Sequence, residues 1–155
     1  MTNVAPPAVN DADEYAGFWI RLWASIIDSL LVAVIIGPAI WAIYGPEYFD
    51  MTGLVAGPAD FLLSWVFPAV GVVAFWIVKS ATPGKMATRI RIVDAATGGP
   101  PSTRQCIVRY VAYFASLLPF AAGFLWVAID ARKQGWHDKL AGTVVLRRRG
   151  ERTSA

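Results

Sequence analysis

Three apolar stretches, each about as long as a bilayer is thick, constrain this chain more than any other feature. They run Phe18–Tyr44, Phe61–Val78 and Ile107–Ile129. A helix that crosses the hydrocarbon core needs about 20 mostly apolar residues. The first stretch, FWIRLWASIIDSLLVAVIIGPAIWAIY, meets that length with two charges inside it, Arg21 and Asp28. Composition agrees: 56% of residues are hydrophobic and 16% charged, against about 45–50% and about 25% in soluble domains. Such a chain is neither disordered nor a nucleic-acid-binding tail, and the pattern stands against a soluble enzyme. The expected fold is an all-α membrane protein with one membrane domain.

The order of segments sharpens this. Residues 1–14 form a polar arm without positive charge, lacking the basic start of a secretory signal peptide. A first span over 18–44 carries Trp19, Trp23, Trp41 and Tyr44 toward its ends, as interfacial aromatics do. Gly37-Pro38 predicts a kink in its far half. Residues 45–60 form a loop with Glu47, Asp50 and Asp60 and no basic residue, and a second span covers 61–78. The loop 79–109 then holds Lys79, Lys85, Arg89, Arg91, Arg104 and Arg109, six of the 14 basic residues. The positive-inside rule places it and the N-terminus in the cytoplasm, and the 45–60 loop outside. Thr88–Asp94 alternates polar and apolar residues, and Gly142–Leu146 is a second β-rich run. The two are predicted to pair as a small two-stranded cytoplasmic ribbon.

The third segment, 104–130, has two readings. As one plain span it sends Lys139, Arg147, Arg148, Arg149 and Arg152 outside, against the charge rule. Broken or re-entrant about Leu118-Pro119 and Gly123, it returns both ends to the cytoplasm, although non-helical backbone at depth needs protein cover. The fold-back is preferred. The membrane domain is then 15–148, followed by a basic polar tail at 149–155.

Little of the usual site chemistry is visible. One cysteine, Cys106, and one histidine, His137, supply neither a disulfide nor a metal cluster. No nucleophile elbow or oxyanion motif accompanies them, so neither catalysis nor a cofactor is expected. The charges inside apolar sequence are more telling. Arg21, Ser25 and Asp28 fall at i, i+4 and i+7 on one helix face. Arg21 and Asp28 are about 10.5 Å apart along the axis, too far for a direct pair, with Ser25 between them. Asp28 is either an ion or proton site or a structural group bonding a cation on a neighbouring segment. Asp130, closing the third apolar stretch, is either a second carboxylate of such a site or a helix-end carboxylate at the headgroups. Arg109, on a polar stripe with Gln105, Tyr113 and Ser116, is either a partner for Asp28 or a boundary residue that snorkels. Thr82-Pro83-Gly84-Lys85 is not a phosphate loop, since the further glycine and the Ser/Thr after Lys85 are missing; it reads as a tight turn touching lipid phosphate. His137 and Asp138 are adjacent and so do not form a dyad on a helix, and Asp138 is expected to cap or anchor a loop.

The residues FWIRLWASIID, the T-P-G-K turn, R-I-V-D, and F-L-W-V-A-I-D followed by G-W-H-D-K-L-A-G-T-V-V together resemble the RDD family of small membrane proteins, over about residues 15–148. The family is named for one Arg and two Asp. The Arg maps to Arg21, the first Asp to Asp28 and the second to Asp130, with Asp138 as the other family-like position. The resemblance implies a multi-pass protein of the bacterial plasma membrane with a role in transport, cation/proton exchange among the activities. The functional expectation is a transport protein or transporter subunit in which Arg21, Asp28 and Asp130 handle a proton or small cation, supported by Ser25, Arg109 and Asp138. Few spans for alternating access within one chain imply a homo-oligomer. The rival expectation is an accessory or assembly protein that binds a partner membrane protein or anionic lipid.

Overall fold

A computed structural model of the chain describes residues 13–51, 53–117 and 122–148. Strand β1 (Asp13–Tyr15) leads into helix α1 (Phe18–Tyr44). Pro38 lies inside α1, which continues as helix through Gly37-Pro38. A short 3₁₀ turn, Pro46–Asp50, follows. Helix α2 (Pro58–Lys79) begins earlier than the predicted 61–78 span, with Pro58 in its first turn, where a missing N–H costs nothing. Its residues Phe61–Val66 are wound as wide π turns. The cause is Pro68, whose ring would strike the carbonyl four residues back, at Ser64, in an ordinary α-turn. Ser80 ends α2 in a left-handed conformation (φ 55°), its N–H on the Trp76 carbonyl at 2.9 Å.

Beyond α2 the elements are short: α3 (Pro83–Ala87), β2 (Ile90–Asp94), α4 (Thr103–Leu117), α5 (Ala122–Ile129), α6 (Trp136–Ala141) and β3 (Thr143–Arg148). The third apolar segment is therefore two helices set at 100° to each other, as the broken reading expects. The predicted break at Leu118-Pro119 lies outside the described residues. Gly123 lets α5 close on α4, since a Cβ there would stand 2.6 Å from the Ser116 Cα.

The ribbon is corrected from two strands to three. The sheet is antiparallel in the order β1-β3-β2. Charge complementarity recruits the extra strand: Asp13 and Glu14 lie opposite Arg148 and Arg147. Arg91 on β2 reaches over β3 to Asp13 at 2.9 Å, and Arg147 meets Glu14 at 3.6 Å. Asp13 and Glu14 thus belong to the sheet rather than to a polar arm. The remainder of that arm, residues 1–12, and the tail 149–155 with Arg149 and Arg152 lie outside the described residues.

This pairing brings the start of α1, the end of α2 and the chain after α5 to one end of the molecule. A core of Ala16, Ala24, Trp76, Ile90, Ile92, Cys106 and Val145 joins the sheet to the helices there. Elsewhere the long helices turn apolar side chains outward, with Trp19 72% and Val78 73% exposed. Two helices are long and apolar enough to cross a membrane, and the bent α4–α5 pair is a third candidate.

Candidate functional site

The sheet-bearing end is organised around one carboxylate, Asp138, which is fully buried near the start of α6. Its Oδ2 accepts from the Gly135 N–H at 2.9 Å and from Arg21 Nη1 at 2.6 Å. Its Oδ1 accepts from Arg109 Nη1, which also donates to Thr143 Oγ1 at 2.7 Å. Arg21 in turn gives its Nε–H to the Ala16 carbonyl at 2.9 Å and Nη2 to the Lys133 carbonyl at 2.5 Å. Two guanidiniums on one carboxylate thus tie α1, α4, α6 and β3 together. Burial pushes the Asp138 carboxyl up, but the charges of Arg109 and Arg21 outweigh it and hold the group well below the usual carboxylate range. Asp138 therefore stays ionised.

Asp28 and Asp130 stand apart from this joint. Asp28 accepts from Thr82 Oγ1 at 2.5 Å and from the Gly84 N–H at 2.7 Å, clamping the turn before α3 against α1. That clamp explains the T-P-G-K turn. A Cβ on Gly84 would lie 2.8 Å from the Asp28 Cγ and would overlap the Ala24 carbonyl. Asp130 closes the loop after α5, accepting from the Arg132 N–H and the Gln134 N–H, both at 3.1 Å, and from Lys139 Nζ at 2.5 Å. The same loop presents the Lys133 carbonyl to Arg21 and the Gly135 N–H to Asp138. The expected cluster of Arg21, Asp28 and Asp130 is therefore not one site. Arg21 meets Asp138, because a full two turns of α1 separate it from Asp28 and because the loop that Asp130 folds places α6, not Asp130 itself, against α1.

Beside the joint lies a cavity of about 270 Å³. Arg21, Lys85 and Arg109 line it together with aromatic and aliphatic side chains, and Ser25 is in its wall. Leu22, Ser25 and Leu125 are exposed members of that wall, so the cavity opens on the apolar outer surface. His137 lines it as well, packed edge-on to Tyr113 at 4.5 Å between ring centres, with Nδ1 3.3 Å from Ser116 Oγ. Burial drives the His137 imidazole down to about 3, the nearby Asp138 opposing and Arg109, Arg21 and Lys85 assisting, so the ring is neutral near pH 7. Arg109 is 1% exposed, packs on the Trp76 and Tyr113 rings, and its Nε finds no acceptor among the described residues.

Sequence reasoning named Arg21, Asp28, Ser25, Arg109, Asp130 and Asp138, and the structure puts Arg21, Ser25 and Arg109 on one cavity with Asp138 behind them. It did not place Lys85 on the cavity or Thr143 against Arg109. The signal for Lys85 was present in the T-P-G-K motif, where a basic residue follows a glycine that only close helix contact requires. Among the described residues, no three His, Cys, Asp or Glu side chains are grouped to hold a metal ion.

A protein of Rickettsia prowazekii (strain Madrid E), described only as uncharacterized, is 39% identical over 75 residues, 48% of this chain and 41% of its own length. A proline-rich antigen of Mycobacterium leprae (strain TN) is 24% identical over 162 residues, 90% of this chain and 65% of its own length. The chain thus spans less than two thirds of either relative. No solved structure matches it. The sequence model of the RDD family matches residues 15–142, from the strand before α1 through the Asp138 helix, and the chain belongs to the RDD family.

Proposed function

We propose that this chain is a non-enzymatic membrane transport component that handles its solute in the cavity at the sheet-bearing end. The observation that carries the reading is the cavity itself: cationic on its inner wall at Arg21, Lys85 and Arg109, and open through Leu22, Ser25 and Leu125 onto the apolar surface. In this reading Arg21 lines the cavity and Asp138 holds it in place, while Asp28 and Asp130 brace α3 and the loop before α6. Exchange of a proton or small cation at these carboxylates draws less support. Asp138 faces two guanidiniums, and Asp28 receives two hydrogen bonds from neutral donors. Charge distribution supports a cytoplasmic sheet end in a bacterial plasma membrane: Lys79, Arg89, Arg91, Lys139 and Arg147 gather there, while Glu47, Asp50 and Asp60 mark the other end. Two or three spans are few for alternating access, so the working unit is a homo-oligomer.

Proteoliposomes on a sensor membrane, given steps of sodium chloride, of pH and of sodium benzenesulfonate, test this. A protein-dependent current on any step, abolished by Ser25→Trp at the cavity mouth, supports transport. A folded, inserted protein that passes no current in all three, yet brings down a reproducible partner in mild detergent, overturns transport in favour of an accessory or assembly role.

A further inference from the structure

Lys85 is the most poorly paired buried charge among the described residues. It is 8% exposed, on the short helix α3, and among the described residues its Nζ reaches only Thr82 Oγ1, at 3.4 Å, and the face of Trp76, at 5.7 Å. An ammonium offers three donors, and no carboxylate pairs with it among the described residues. The Thr82 hydroxyl donates its own hydrogen bond to Asp28, so Asp28 balances Lys85 only through an intervening hydroxyl. On the same cavity the buried Nε of Arg109 has no acceptor among the described residues. Arg21, Lys85 and Arg109 thus face Asp138 and, at one remove, Asp28: three cations against two carboxylates. A buried charge without a partner is costly, and the deficit here is one negative charge with hydrogen-bond acceptors.

The rest of the wall sets the shape of what fits. Phe18, Tyr113, Phe124 and Val127 make it apolar beyond the cations, and the mouth lies on the apolar surface. Its volume of about 270 Å³ exceeds the ~150 Å³ that takes benzene and falls just below the ~300–1,000 Å³ of drug-sized pockets. We infer that this cavity binds an organic monoanion with an apolar body of about one ring or a short chain, its head group between Lys85, Arg109 and Arg21. The inference rests on the cavity being the working site, and it names the class of ligand. Two sources present that chemistry: a free small anion and the head of an anionic lipid.

The full-length chain in phosphatidylcholine nanodiscs is titrated with benzenesulfonate, neutral benzenesulfonamide and cationic benzylammonium, following tryptophan fluorescence and thermal unfolding. In parallel, native mass spectrometry records which lipid the protein retains from mixed phosphatidylglycerol–phosphatidylcholine vesicles. Benzenesulfonate alone of the three should bind. Lys85→Met should weaken it roughly tenfold or more, the loss expected when a charge-assisted hydrogen bond disappears, and Lys85→Arg should keep most of the affinity. Binding of the sulfonate without selective lipid retention assigns a free anion. Retention of phosphatidylglycerol that Lys85→Met abolishes assigns a lipid head. If sulfonate and sulfonamide bind alike, or if neither the sulfonate nor phosphatidylglycerol is held in a Lys85-dependent way, the inference is overturned; the isostere series on the unchanged chain decides even if Lys85→Met fails to fold. Equilibrium binding needs no flux, so Lys85-dependent binding without currents would sink the transport reading and leave the site standing.

Discussion

Asp138 and Asp60 are both buried carboxylates, one at each end of the α1–α2 pair, and they are satisfied in opposite ways. Asp60 receives hydrogen bonds from Tyr48 Oη at 3.0 Å, Ser64 Oγ at 2.6 Å and the Ala56 N–H at 2.8 Å, all neutral donors within 12 residues of it. Asp138 faces Arg109, 29 residues away, and Arg21, 117 residues away. The far end is a local cage that the loop after α1 builds for itself. The sheet end is an ionic joint assembled from distant segments, and its excess of cations is what gives the neighbouring cavity its character. The difference teaches that one residue type can stiffen a loop at one end of a bundle and set the charge of a site at the other.

The largest break in that comparison should come at Asp138. Asp138→Asn strands two arginines in a buried setting, with an expected loss of about 3–5 kcal/mol. Thermal unfolding of the purified protein, followed by tryptophan fluorescence, reads it. Asp60→Asn leaves neutral partners and should cost clearly less; equal losses would erase the distinction between the two ends.

Acid should reach the sheet end first. His137 titrates near 3 in the fold against an ordinary value of 6.5. Between those values the unfolded chain binds a proton that the folded chain refuses, so stability falls as pH drops below about 6.5, by about 1.4 kcal/mol per unit. Asp138, depressed in the fold, contributes fully above the ordinary carboxylate range near 3.9 and loses its contribution only as pH falls through and below it. His137→Gln should flatten the pH 4–6 part of the stability curve and leave the steeper acid limb. A variant with an unchanged curve would show that His137 is not held neutral.

Gly84→Ala probes the clamp of α3 on α1. The added methyl group meets Asp28 and the Ala24 carbonyl, so α3 must lift from α1, at an expected ~1–3 kcal/mol. Lys85 rides on the same helix, so this variant should also weaken anion binding, whereas Asp60→Asn should not. The smallest effect is expected at the rim. Lys139 is 45% exposed in its pair with Asp130, and Lys139→Met should cost only about 0.2–1 kcal/mol and less in high salt.

Much of the fold was legible because it follows from local pattern. The apolar runs mark the long helices, and the alternation of Thr88–Asp94 marks β2. The strand Asp13–Tyr15 was not legible, since three residues with two acids carry no hydrophobic period; only their pairing with Arg147 and Arg148 reveals it. In the site, the spacing of Arg21 and Asp28 gives their shared face but not their partners. Residues seven apart on one helix point the same way while reaching different neighbours, Thr82 for one and Asp138 for the other. Periodicity reports which face a charge occupies, but the partner is set by chain that returns 54 residues later for Asp28 and 117 residues later for Arg21.

The most direct measurement is a pair of double-mutant cycles read by thermal unfolding in the same nanodiscs. One combines Arg21→Gln with Asp138→Asn, and the other combines Arg21→Gln with Asp28→Asn. The ionic joint predicts a coupling of roughly 1.5 kcal/mol or more in the first cycle and near-additive effects, within about 0.5 kcal/mol, in the second. Strong coupling of Arg21 to Asp28 with none to Asp138 would contradict it.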